Sequence, residues 1–395
     1  MILMNKISIP LCQRGIEGDL ILLHVGKSRL SLRSWTQGIF SQRPRLSVTA
    51  LRYCRIFRGV KTFAGFTVRL HMTILRAALV GCVVFAVAAC STMSWKSPLG
   101  RDHPLTGGIW EVSAARFIAR ESLVERLAGA DFVLLGERHD NPDHHMLQAA
   151  VLRSLIAVGR RPAVGFEMLG LDDTGAVAKY LAAAPNDAAG LGRAVNWNQR
   201  GWPDWAMYQP IAEAALQAKL RIVATNLPLA TATKMTRNGV AALDPRMVRE
   251  LGLDRPPPEP VFAKMAADIR DAHCGYAPEE IVKPMVDVQR ARDAQMAESL
   301  IAASDPDGAV LVAGAGHVRN DYGIPVYLRA NAPDKRAISI AFVEVDKQKA
   351  EPQSYALAYP DGRLPFDYVW FTPRVDDEDP CEKFKSQFDR LKKTQ

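Results

Sequence analysis

Residues 131–141 read D-F-V-L-L-G-E-R-H-D-N, and the fold follows from how that stretch changes character. Phe132, Val133, Leu134 and Leu135 form a short apolar run with polar residues on either side. A strand buried on both faces reads this way, without alternation. The run stops at Gly136, and Glu137, Arg138, His139, Asp140 and Asn141 follow in succession. Pro142 then suits the first turn of a helix, where its missing N–H costs nothing. A buried strand therefore ends in ionisable side chains at the start of a helix. In open α/β sheets, ligands bind at that edge, outside the carboxyl ends of the strands.

Two more stretches share the shape. Residues 309–318, A-V-L-V-A-G-A-G-H-V, are an apolar run ending in glycine and histidine. Residues 163–168, A-V-G-F-E-M, are another, ending in a glutamate. In a parallel sheet of this polarity, Glu137, His139, Glu167 and His317 would meet along one edge.

Working outward, residues 113–128 have helical spacing (Phe117, Leu123, Leu127), and residues 143–158 carry one broad apolar face. The strand, helix and strand up to 168 form a βαβ unit with a right-handed crossover. Residues 171–191 read as an alanine-rich helix. Residues 196–205, N-W-N-Q-R-G-W-P-D-W, hold three tryptophans with Asn, Gln and Arg between them. Trp197, Trp202 and Trp205 suit the wall of a flat apolar ligand and a protein core equally well. A helix over 211–219 and a strand over 221–225 follow. From 229 to 303 the pattern is almost wholly helical, broken by the stiff D-R-P-P-P-E-P connector at 254–260. Strands resume at 309–313 and 337–345 around a short helix at 326–330. Residues 368–372 read as an edge strand before a charged tail. The expected fold class is α/β: a mainly parallel sheet flanked by helices, with an inserted all-helical subdomain at about 229–303.

The net charge of +8 misleads. Residues 1–71 hold 12 basic and 2 acidic residues, whereas from Cys90 onward 37 basic stand against 40 acidic. A balance of −3 gives no general attraction to nucleic acid. Residues 1–71 show no clean period and read as an extension outside the working protein, with Met72 the true start. Residues 72–89 fit a signal peptide: one basic residue, Arg76, then an apolar run at 77–89 too short to span a membrane comfortably. Val87-Ala88-Ala89-Cys90 resembles a lipobox. On that reading Cys90 is lipidated, residues 90–109 are a tether, and the protein is anchored in the outer membrane facing the periplasm. Several acyl chains on one cysteine anchor durably where one is marginal. An ordinary secretory signal is the plainer alternative. Of the six cysteines, Cys90, Cys274 and Cys381 survive processing. Cys274 and Cys381 could pair in an oxidising compartment. With no CxxC, a cysteine-rich zinc or redox site is not expected.

His139 and His317 each fall three residues after a glycine, in G-E-R-H and G-A-G-H. Imidazole and carboxylate at one locus suit a divalent metal or general acid–base work. The plain reading of either histidine alone is a polar loop residue bonded to backbone. No fixed metal spacing, nucleophile elbow, P-loop or dinucleotide fingerprint is present.

L-L-G-E-x-H-D-N, G-F-E-M, the N-W segment, H-C-G ahead of Gln289-x-x-Arg292-Asp293-x-x-Met296, and G-A-G-H-V-R-x-D-Y-G-I-P come in an order that resembles the ChaN family. These are bacterial haem-binding lipoproteins associated with iron uptake. They sit in a wider Tiki-type set with paired GxxH motifs that includes metal-dependent proteases and erythromycin-esterase-like hydrolases. The resemblance covers residues 110–345; residues 346–395 would be an edge strand and charged tail. It implies haem held at a homodimer interface with tyrosine on the iron, and an outer-membrane haem receptor as a partner. A phenolate is a reasonable ligand for ferric haem. Tyr208, after the tryptophans, and Tyr276, after His273, compete for that role, with Tyr180 and Tyr322 behind them. Trp202 and His273 are further cofactor-binding candidates, although His273 also suits a helix C-terminus, where it meets the dipole. A haem-binding protein is expected ahead of an enzyme. The alternative is a metal-dependent hydrolase built on Glu137, His139, Glu167 and His317.

Overall fold

The computed structural model describes residues 94–304, 306–359 and 361–379, with 381, 382 and 385. The expected extension, signal peptide and lipidated Cys90 lie outside the described residues. The strands are β1 (Ile109–Glu111), β2 (Arg116–Ile118), β3 (Phe132–Glu137), β4 (Ala163–Gly170), β5 (Ile222–Asn226), β6 (Ala309–Gly314), β7 (Ala337–Glu344) and β8 (Tyr368–Thr372). The helices are α1 (Arg120–Ala128), α2 (Pro142–Ala157), α3 (Thr174–Ala183), α4 (Ala188–Ala194), α5 (Trp205–Gln217), α6 (Leu229–Asn238), α7 (Pro245–Glu250), α8 (Glu259–Ala272), α9 (Glu279–Ala303), α10 (Ile324–Asn331) and α11 (Gln353–Ala356).

One eight-stranded sheet runs β2-β1-β8-β7-β3-β6-β4-β5. The six strands from β8 to β5 are mutually parallel, and β1 and β2 close one end antiparallel. β3 lies between β6 and β7, with Val133 opposite Val310 on one side and Ile338 on the other. This position explains its unbroken apolar run: both faces are covered, and all six of its residues are buried. The register also aligns the carboxyl ends, placing Glu137 opposite Gly314. Gly136 is needed there, because a Cβ would stand 2.4 Å from Val318 Cγ2 and 3.0 Å from Ala315 Cα.

α6 to α9 form the helical insert between β5 and β6. α9 is its longest element, at 25 residues, and is buried on nearly every side through its C-terminal half. That burial explains its lack of a clear apolar stripe. Among the described residues, no helix is long and apolar enough to cross a membrane.

Four expectations need correction. Residues 368–372 are not an edge strand: β8 pairs with β7 on one side and β1 on the other, and all five residues are buried. The true edge there is β2, within a stretch read as helix; α1 begins only at Arg120. The tether does not extend to 109, because Lys96 and Ser97 donate backbone N–H groups to Asp143 at 2.7 and 2.8 Å, and Leu99 bridges Arg374. The alanine-rich helix at 171–191 is broken into a 3-10 turn, α3 and α4.

Cys274 and Cys381 form a disulfide, with Cα atoms 5.5 Å apart. The bond ties the end of the insert's third helix to the C-terminal segment.

Candidate functional site

The side chains after β3 alternate, as strand geometry requires. Glu137 and His139 turn toward Tyr208 and each other, and Arg138 turns the other way to Glu344 and Asp140. Asn141 caps α2 by accepting from the Asp143 N–H at 2.9 Å. The first turn of α2 then brings His145 beneath Glu137, its Nδ1 3.1 Å from Oε2. Its Nε2 donates to the His139 carbonyl at 2.8 Å. α5 supplies Tyr208, whose hydroxyl donates to Glu137 Oε1 at 2.9 Å. His139 Nδ1 lies 2.8 Å from the same oxygen.

β4 delivers Glu167 beside this group. Its Oε1 accepts from Arg292 at 2.6 Å, and its Oε2 accepts from the Gly314 N–H at 2.6 Å. Asn226, at the end of β5, steadies it by donating to its backbone carbonyl. His317 follows β6 and sits between two carboxylates: Nε2 is 3.2 Å from Glu167 Oε1, and Nδ1 is 2.5 Å from Asp293 Oδ1. His139 Nε2 faces Glu167 Oε2 at 3.9 Å, which joins the two halves. Gly314 permits this approach, since a Cβ there would lie 2.9 Å from His139 Nε2.

The four residues expected to converge therefore do meet, at the carboxyl ends of three neighbouring strands. Asp293 and Arg292 complete the cluster from α9, and His145 and Tyr208 from α2 and α5. All are buried. Burial would raise the Glu137 carboxyl, but His145 and His139 beside it hold it down at about 2. Burial likewise opposes ionisation of Glu167, and His317 and Arg292 outweigh it, keeping that carboxyl well below its usual range. For Asp293 burial prevails over the pull of His317, and its carboxyl rises to about 6. Burial disfavours the His317 cation, yet Glu167 and Asp293 together lift the imidazole to about 9. Near neutral pH His317 is thus an imidazolium lying between two buried carboxylates, with Arg292 supplying a second positive charge at Glu167; it is not a free base. His139 is the better placed proton acceptor, because a carboxylate orients its Nδ1.

The metal-ligand expectation for Glu137, His139, Glu167 and His317 is not supported. Among the described residues no group of three or more His, Cys, Asp or Glu side chains is arranged to hold a metal ion. The reason is chemical: the carboxylates are already engaged by Arg292, the Gly314 N–H, Tyr208 and the histidines.

The cofactor candidates separate. Tyr208 is fully buried, and Trp202 is half-buried with its ring 4.9 Å from that of His139. His273 is buried at the end of α8, where its Nδ1 lies 2.7 Å from the Ile269 carbonyl. Tyr276 is 43% exposed. Tyr180 is held by Asp187 and Tyr322 by Asp268, each at 2.5 Å. Sequence reading gave no role to His145, Arg292 or Asp293. For the last two, the available signal was their place in the Gln289-x-x-Arg292-Asp293-x-x-Met296 run quoted above, which carried the resemblance but assigned no contact.

The profile of a family described as "Haem-binding uptake, Tiki superfamily, ChaN" matches residues 123–328. Among solved structures, one reported as cofacial haem binding to ChaN of Campylobacter jejuni superposes with a TM-score of 0.52 at 21% identity, over 66% of this chain and 95% of that one. The type III effector HopBA1 gives 0.35 at 12% identity, over 71% and 99%. An erythromycin esterase mutant, EreC, in its open conformation gives 0.35 at 14%, over 64% and 77%. No curated protein matches the sequence. The shared architecture and a match spanning more than half of the 395 residues lead to one conclusion: the chain belongs to the ChaN haem-binding uptake family of the Tiki superfamily.

Proposed function

We propose that this protein is a lipid-anchored carrier of haem in bacterial haem and iron uptake. In this reading Cys90 holds it in the outer membrane, and Tyr276 ligates ferric haem at an interface between two copies. The observation that carries the assignment is the contrast between the two tyrosines. Tyr208 does not fit haem, because its hydroxyl is enclosed and donates to Glu137. His273 is enclosed as well. Tyr276 fits: it is exposed, two residues beyond Cys274, where the chain leaves α8. When bound, haem would supply an iron centre that a phenolate can hold. The chain's own task is to present that phenol at a surface. Stacked haems, as described for the Campylobacter jejuni protein, require a ligand that projects from the subunit, and an outer-membrane haem receptor would be the source.

Haem titration of the full chain in detergent, followed by visible absorption, tests the reading. The expected result is saturation at about one haem per chain with a ferric–phenolate band, lost in Tyr276→Phe. An unchanged spectrum in that variant would remove Tyr276 from the assignment, and no saturation at all would remove haem.

A second reading is hydrolytic and rests on His139, a buried imidazole oriented by Glu137. It predicts ester or peptide hydrolysis that collapses in Glu137→Gln. Absence of turnover in the wild-type chain would end it.

A further inference from the structure

A cleft of about 520 Å³ is built by α4, the 3-10 turn Trp197–Gln199 and the start of α5. Its size lies within the range of about 300–1,000 Å³ usual for small-molecule sites. The tryptophan-rich segment that sequence reading left undecided is divided here into two parts. Trp197 and Trp205 turn inward, 1% and 7% exposed. Their indole N–H groups are spent on the Pro203 and Ala188 carbonyls at 2.7 and 2.9 Å. Gly192 allows this, since a Cβ there would lie 2.5 Å from the Trp205 ring. The residues between and beside the tryptophans remain outside: Arg193, Asn196, Asn198 and Gln199 are exposed and line the cleft. Asn196 holds a left-handed φ of 53°, a conformation asparagine tolerates better than most residues.

We infer that this cleft binds a neutral, hydroxyl-rich ligand, an oligosaccharide, through the carboxamides of Asn196, Asn198 and Gln199 and the guanidinium of Arg193. Each carboxamide offers both donor and acceptor, as does each sugar hydroxyl, so the two match without net charge. Asp204 also lines the cleft and offsets Arg193, so no single charge selects the ligand. Asp204 is partly committed as the cap of α5, accepting from the Ala206 N–H, and Gln209 donates to Glu213. Ala189, Ala206 and the rim of Trp205 supply the small apolar part of the lining, against which a sugar's C–H groups would rest. Among the described lining residues there is no tyrosine, histidine, cysteine or methionine. The cleft therefore offers none of the usual axial ligands for haem, and the inference stands apart from the haem reading. The cleft nonetheless adjoins the buried cluster, because the Trp197 ring lies 4.8 Å from that of Tyr208.

Calorimetric titration of the full chain with a trimer of N-acetylglucosamine, and with triglutamate as the charged counterpart, tests it. The expected result is saturable binding of the sugar with a dissociation constant of about 1 mM or tighter. It should weaken at least tenfold in the double variant Asn198→Ala, Gln199→Ala. Both positions are exposed, so thermal unfolding and haem titration of that variant should match the wild type. No saturable heat with the sugar overturns the proposal. So does equal binding by the double variant, or tighter binding of triglutamate.

Discussion

The hydroxyl of Tyr208 donates to Glu137 Oε1 over 2.9 Å, across 71 residues of chain, and fastens α5 to the end of β3. Replacing Tyr208 with Phe leaves that buried carboxylate one donor short. Unmaking a hydrogen bond to a buried charge costs about 1–3 kcal/mol. Urea unfolding should show a loss of that size, with the haem spectrum intact. A spectral change in Tyr208→Phe would contradict the placement of this tyrosine away from the iron.

Glu137→Gln should cost more. Glu137 faces His139, His145 and Tyr208 at once, and all four are buried. Removing one side of a buried ionic cluster typically costs about 3–5 kcal/mol. Because Tyr208 and Glu137 share a bond, the double variant should lose less than the sum of the singles. Additive losses in chemical unfolding would deny the coupling.

Stability should decline as pH rises from neutral. The imidazole of His317 is raised from 6.5 to about 9 in the fold, so its contribution is full below pH 6.5 and lost as pH passes 9. Asp293 acts in the same direction in a lower window: its carboxyl is raised from 3.8 to about 6, and its contribution fades as pH rises through 6. Glu137 acts oppositely, contributing above pH 4.5 and failing as pH falls through about 2. The His317 limb is worth of order 3 kcal/mol. Melting curves of wild type and His317→Gln between pH 6 and 10 should diverge at the acid end and converge at the alkaline end. Parallel curves would reject the assignment.

Gly314→Ala and Gly175→Ala form a matched pair. A methyl on Gly314 would meet His139 Nε2 at 2.9 Å and Glu167 Oε2 at 3.5 Å, on two buried side chains already bonded to Glu137 and Arg292. Overpacking of this kind costs about 1–3 kcal/mol. A methyl on Gly175, in α3, meets nothing within 4 Å and should stabilise by about 0.5–1 kcal/mol through lower chain entropy. Equal melting temperatures for the two variants would count against the crowding described at Gly314.

The Cys274–Cys381 bond closes a loop across a sequence separation of 107. Cys381→Ser should lower stability by about 2–5 kcal/mol. The difference should vanish when both proteins are unfolded in excess dithiothreitol. A deficit that persists under reduction would mean that the serine harms packing and that the lost bond is not the cause.

The centre of the sheet was legible because burial on both faces leaves continuous apolar runs, as in Phe132–Glu137 and Ala309–Gly314. Its margin was not: β1 and β2 are three residues each, too short to show a period. The same logic misassigned residues 368–372, since nothing local in Y-V-W-F-T tells which neighbours flank it. In the site, strand ends announced Glu137, His139, Glu167 and His317 because polarity changes abruptly there. His145, Arg292 and Asp293 reach in from helices, and helix residues acquire a role through packing angles that sequence does not display. Tyr208 appeared as a ligand candidate for its chemistry; only its burial shows that the chemistry faces Glu137.

The strand order carries a kinetic consequence. β3 is made early, yet both of its partners, β6 and β7, follow the entire helical insert in sequence. A growing chain must therefore carry β3 unpaired until most of the protein has been made, and such non-local pairing is slow. β4 and β5 can find one another sooner, but β6, which joins β4 to the centre of the sheet, arrives no earlier. Any fragment ending before Ala309 would display an apolar strand with two open edges, a template for aggregation. This topology favours a chain whose sheet assembles only once β6 and β7 are available.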